Sequence, residues 1–128
     1  MHCILQIVTK GRPGMAEIDR IMMPYYEVAF YDKYWDPVKQ EHRYIPPEDY
    51  PAFTWDYYTI WDEPKPSKDV EIGECFAMID RQGRPHVRQF WNGGPEWIDQ
   101  NQDFEYWVKR IVRERGPNDW VTTINYHY

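Results

Sequence analysis

The run Cys3-Ile4-Leu5-Gln6-Ile7-Val8-Thr9 limits the possible folds more than any other stretch of this chain. It is almost continuously apolar, and Lys10-Gly11-Arg12-Pro13-Gly14 ends it abruptly. A short apolar run bounded by turn residues reads as a buried strand, which places the segment in the middle of a sheet. Its partners are found further along. Glu74–Asp80 reads as a strand, Arg81-Gln82-Gly83-Arg84 as a turn, and Pro85–Trp91 as the returning arm of a hairpin, with Pro85 tolerable only at the start of that arm. Trp120–Tyr126 is a final strand, expected with the first in the central part of the sheet.

The clearest helix lies between these strands, over about 101–115. Phe104, Trp107, Val108, Ile111 and Val112 recur at three- and four-residue spacing, with Glu105, Lys109, Arg110, Arg113 and Glu114 elsewhere. Asp99 followed by Gln102 has the spacing of a capping box, and Gly116-Pro117 is a stop signal. Met15, Ile18 and Met22 predict a shorter helix ending before Pro24. The expected architecture is therefore α+β. It is one domain spanning 1–128, an antiparallel sheet with helices on one face in a ferredoxin-like arrangement. A long irregular insertion, Tyr25–Tyr50, separates the first strand from the hairpin.

Ala52–Trp61 follows that insertion and sets five aromatics around one carboxylate, Asp56. Its residue types suit a strand over Phe53–Trp61. Alternation would put Phe53, Trp55, Tyr57, Thr59 and Trp61 on one face, and Asp62–Ser67 would be a proline-rich connector. Such rings serve either as core or as the wall of a binding surface. Arg81, Arg84 and Arg88 lie on the neighbouring hairpin, and an arginine beside aromatic rings can grip an anion while a ring stacks on a base. The candidate ligand-binding residues are Trp55, Asp56, Tyr57, Tyr58, Arg88, Trp91 and His127.

Charge and motifs exclude several function classes. Residues 17–74 hold 14 Asp and Glu against 6 Lys and Arg, whereas 75–128 hold 7 of each. Such a chain lacks the basic field that tracks nucleic-acid phosphates, so duplex binding is not expected. There is no membrane-spanning run and no signal peptide, and Cys3 and Cys75 read as reduced core thiols; these features predict a cytosolic protein. No Ser-His-Asp spacing, phosphate loop or dinucleotide fingerprint is present. No cofactor or catalytic residue is assigned. His2 opens the first strand and His127 follows the last, so their imidazoles would be close if those strands are neighbours, but no third metal ligand stands out and no metal site is assigned.

Three short motifs carry a family resemblance. Met23-Pro24-Tyr25-Tyr26-Glu27, Trp55-Asp56-Tyr57-Tyr58 and Ile124-Asn125-Tyr126-His127 resemble the Ala-Pro-Tyr-Asp-Glu, Trp-Asp-Trp-Tyr and Val-Asp-Cys-His segments of a family of small uncharacterised bacteriophage proteins. Where that family has Gly-Gly-Arg-Trp this chain has Ile60-Trp61-Asp62-Glu63, and Asn125 replaces an acidic residue. The resemblance implies a phage accessory protein acting against host defence. Combined with the rings and hairpin arginines, it leads to the expectation of a non-enzymatic binder that sequesters a small nucleotide-like immune signal. The alternative is a protein inhibitor that covers a host defence enzyme with its acidic aromatic surface, Tyr25–Trp61, and a homo-oligomer is compatible with either. A third reading is a hydrolase using Asp56 with His127.

Overall fold

The computed structural model describes residues 1–128. In chain order the elements are β1 (His2–Lys10), α1 (Met15–Met22), α2 (Glu27–Asp32), β2 (Trp35–Asp36), β3 (Glu41–His42), β4 (Tyr57–Pro66), β5 (Ala77–Ile79), β6 (Pro85–Val87), β7 (Gln89–Phe90), β8 (Ile98–Asp99), α3 (Asn101–Glu114) and β9 (Asp119–His127). The main sheet has the order β4-β9-β1-β5-β6. The apolar run is thus its central strand, paired with β9 without interruption from His2↔His127 to Lys10↔Asp119.

The α+β class and the central position of β1 agree with the sequence pattern, and three details are corrected. The sheet is mixed, because β5 runs parallel to β1 (Leu5↔Ala77). It pairs with β1 directly and leaves its hairpin partner β6 at the edge, whereas a split βαβ arrangement has a strand in between. Helices also lie on both faces. On one, Leu5, Ile7, Ile124 and Tyr126 pack with Ile18 and Met22 of α1 and with Phe53 and Trp55. On the other, Val8, Met78 and Val121 pack with Phe104 and Val108 of α3. β1 is apolar on both sides because both sides are covered, each buried Leu, Ile or Phe contributing about 1.5–3 kcal/mol.

The insertion is less irregular than expected, since it contains α2 and the β2–β3 pair. β4 begins only at Tyr57 and runs through the proline-rich Asp62–Pro66, where composition alone suggests a connector. An edge strand accepts Pro64 and Pro66 because amides on its outer side have no ladder partner, and the register slips between Ile60 and Asp62 and again before Lys65. The N-cap of α3 is Gln100; Asp99, one residue earlier, accepts from the Asn101 amide at 2.9 Å and forms no reciprocal box with Gln102. No helix is long and apolar enough to cross a membrane.

α3 covers only part of its face. A Cβ on Gly73, whose φ is +104°, would stand 2.8 Å from Val108 Cγ1, so glycine is what allows the helix to approach there. Arg88 then ties the helix down. Its guanidinium donates to the carbonyls of Cys75 and Gly73 and to Glu105 Oε1, each at 2.8 Å, and lies 4.3 Å from the Phe104 ring centre. The helix is thereby anchored over Val8, Met78 and Val121. His2, Ile4, Asn125, His127, Tyr57 and Thr59, further along the same face, are half-buried or exposed.

Candidate functional site

The stretch 52–61 divides at Asp56. Upstream, Trp55 forms a parallel bridge with Tyr26, its indole Nε1 donating to the Met22 carbonyl at 2.8 Å, and its ring is buried against Tyr26 and Tyr58. The Tyr58 hydroxyl donates to Asp19, and burial together with that carboxylate raises its pKa. Trp55 and Tyr58 therefore fasten α1 to the sheet. Alternation is reset after the bridge, so Tyr57 and Thr59 point to the opposite face from Phe53, Trp55 and Tyr58. This corrects the expectation that Phe53, Trp55 and Tyr57 share one face.

On the open face, Tyr57, His127 and His2 lie in one row across β4, β9 and β1. Asp56 Oδ1 accepts from His127 Nδ1 at 2.7 Å, while the Asp56 amide donates to the His127 carbonyl at 2.8 Å. The hydrogen bond from His127 holds the Asp56 carboxyl below its usual range. Tyr57 stacks on the His127 ring at 4.9 Å and 11°, and its hydroxyl lies 3.4 Å from His2 Nε2. His2 Nδ1 faces Asn125 Oδ1 at 3.1 Å, and the two imidazole centres are 5.0 Å apart. Of the seven candidate residues, Asp56, Tyr57 and His127 are thus brought together, with His2 added. An imidazole oriented by a carboxylate through Nδ1 has Nε2 free to take a proton or a ligand.

The packed face holds a different feature, an aromatic pocket of about 170 Å³. Tyr50, Phe53, Phe76, Trp91, Trp97 and Tyr128 are half of its twelve lining residues, and Glu27 is its one acidic group. Trp91 is held by a bond from Nε1 to the Gly94 carbonyl at 2.8 Å and meets Tyr50 edge-on at 5.3 Å. Gly93 permits that packing, because a Cβ there would stand 2.8 Å from the Tyr50 hydroxyl oxygen. Tyr126 also lines the pocket, and its buried hydroxyl has no ordinary hydrogen-bond partner. Its polar neighbour is the weakly accepting Cys3 thiol, and burial raises the pKa of both groups.

Of the candidates, Trp91 alone lines this pocket. Arg88 is taken up by α3 and the 73–75 backbone, Arg81 pairs with Asp119 at 3.3 Å, and Arg84 pairs with Asp80 at 3.2 Å. The hairpin arginines are therefore paired within the fold, Arg88 with α3 and the 73–75 backbone, Arg81 with the start of β9 and Arg84 with the hairpin turn. Sequence pattern gives no prominence to Tyr126 and Tyr128, yet both flank His127 and by strand alternation face away from it, toward the pocket. Nor does it single out the buried pair of His86 Nε2 and Asp80 Oδ2, 2.9 Å apart. No group of three or more His, Cys, Asp or Glu is arranged to hold a metal. No family model, curated protein or solved structure matches the chain.

Proposed function

We infer that this protein is a non-enzymatic binder that takes the flat ring of a small nucleotide-like molecule into the aromatic pocket. The observation that carries this reading is a cavity walled mainly by aromatic rings, Tyr50, Phe53, Trp91, Trp97 and Tyr128 among them. Such a wall stacks on a flat heteroaromatic ring. The volume of about 170 Å³ suits one ring system, since apolar cavities of about 150 Å³ hold benzene. With no Lys or Arg on the wall, the sugar and phosphate stay outside. Sequestration of an immune signal in the host cytosol, as a phage counter-defence, is the setting that the three sequence motifs support.

Calorimetry against nucleosides and against cyclic and ADP-ribose-type nucleotides tests the reading. One ligand class should bind, with Trp91→Ala weakening it at least tenfold. Absence of heat with every compound at protein concentrations well above micromolar removes it.

A second reading, inhibition of a host defence enzyme, is supported by Trp35, Tyr44 and Trp61, which stand exposed at 43%, 80% and 62% within the acidic half of the chain. Equal retention of a partner by wild type and by a Trp35→Ala, Trp61→Ala double variant would count against it.

A further inference from the structure

We propose that His2 and His127 on the open face of the sheet bind a divalent transition-metal ion of the zinc class, with the Tyr57 hydroxyl beside it. The two histidines are direct cross-strand partners on β1 and β9, so the backbone fixes their spacing. Each ring presents Nδ1 to a side-chain oxygen, Asp56 Oδ1 at 2.7 Å for His127 and Asn125 Oδ1 at 3.1 Å for His2. Those oxygens accept, so Nδ1 carries the proton in both rings and the lone pair is on Nε2. Metal-binding histidines are commonly oriented by such outer carboxylate and carbonyl acceptors.

Asp56 precedes β4 and accepts from His127 Nδ1, so Nε2 is the nitrogen of that ring left for a ligand. His2 Nε2 in turn faces the Tyr57 hydroxyl, and Tyr57 lies stacked on His127. The spacing fits one shared ion. With metal–nitrogen bonds of about 2.0–2.1 Å and roughly 1.2 Å from nitrogen to ring centre, two imidazoles at a near-tetrahedral angle have centres about 5 Å apart. The observed separation is 5.0 Å, with the rings inclined at 64°.

The donor set is two imidazole nitrogens and one phenolic oxygen within 3.4 Å of one of them, with water completing the coordination. That set favours Zn²⁺, Ni²⁺ or Cu²⁺ over Ca²⁺ or Mg²⁺. The Asp56 carboxylate that accepts from His127 Nδ1 fixes the orientation of that imidazole, as outer acceptors do for metal-binding histidines. A third His, Cys, Asp or Glu ligand is absent, so the ion is exchangeable and open to a further ligand from solution. The inference is independent of the aromatic pocket, which lies on the other face.

Calorimetric titration of the metal-free protein with zinc chloride at neutral pH should show one ion per chain. His127→Ala and His2→Gln should each weaken binding at least a hundredfold. Asp56→Asn should weaken it about 10–100-fold, as outer-shell substitutions do. His42→Ala, which alters an exposed histidine packed on Trp35, should leave it unchanged. In wild-type protein, zinc should move the NMR signals of the His2 and His127 rings and spare the buried His86, a readout that does not depend on any variant folding. No binding at millimolar zinc, or binding untouched by both histidine variants, overturns the proposal.

Discussion

The protein contains two histidine–aspartate pairs whose fates differ. His86 and Asp80 meet at 2.9 Å under α3, with Trp107 stacked on the imidazole at 4.5 Å, and both residues are buried. His127 and Asp56 meet at 2.7 Å on the part of the same face that α3 leaves bare, with Tyr57 stacked on the imidazole. In the covered pair the carboxylate also accepts from Arg84 Nε and from the amides of Gln82 and Arg84, which locks the turn between β5 and β6. Its histidine bonds through Nε2, the atom that the exposed histidine keeps free. The same two side chains are thus a fastening where a helix covers them and a partly exposed pair where it does not.

The sharpest way to break this contrast is at the two rings flanking Asp56. Trp55→Ala should lower unfolding free energy by about 3–5 kcal/mol in urea titration, since a buried ring is removed and the Met22 carbonyl loses its donor. Tyr57→Ala, on a residue 50% exposed, should change it by less than about 0.5 kcal/mol. Comparable losses at both positions would mean that the open face is as much a part of the core as the packed one.

A smaller effect is expected at the covered pair. Asp80→Asn should cost about 2 kcal/mol at neutral pH, by weakening charge-assisted bonds. Burial alone would raise the Asp80 pKa, but the bonds from His86 and from the Arg84 and Gln82 amides bring it below the ordinary 3.8. A carboxylate with a depressed folded pKa contributes its stability in full above the unfolded value and loses it as pH falls through the folded one. The gap between wild type and Asp80→Asn should therefore persist down to about pH 3.8 and close below it. A gap of constant size at lower pH would show that Asp80 acts by shape and not by charge.

The smallest effect should come from the exposed pair. Asp56→Asn is expected to leave the thermal midpoint where it is, while the NMR signals of the His127 ring shift as its Nδ1 loses a charged acceptor. A clear fall in midpoint would make the exposed pair a fastening like the buried one and erase the contrast.

Local pattern is enough for the elements with a strong period. The apolar run is β1, the Phe104–Val112 repeat is α3, and the last strand differs from its pattern by a single residue at each end, because each signal is contained in the neighbours of each residue. The hairpin turn around Gly83 is equally legible, since Gly83 has a φ of +82° and few other residues adopt that conformation. The acidic half and the aromatic richness are also plain, and they point to a binding surface without locating it.

Tertiary structure decided the rest. Simple alternation fails in 52–61 because the Tyr26–Trp55 bridge joins segments far apart in the chain and resets the phase before β4 starts, a contact with no local signature. The prolines of β4 resemble a connector because their place depends on which strand lies at the edge, a property of the whole sheet. Arg88 has the look of a free anion-binding arginine, but α3 and the 73–75 backbone take its donors. The sequence by itself determined that this chain makes a sheet with a central β1, packs an amphipathic α3 on it, and carries rings, carboxylates and histidines to spare. Only the fold decided that α3 stops short, leaving Asp56, Tyr57, His127 and His2 together in water, because coverage of a sheet face is set by long-range packing that no single stretch encodes.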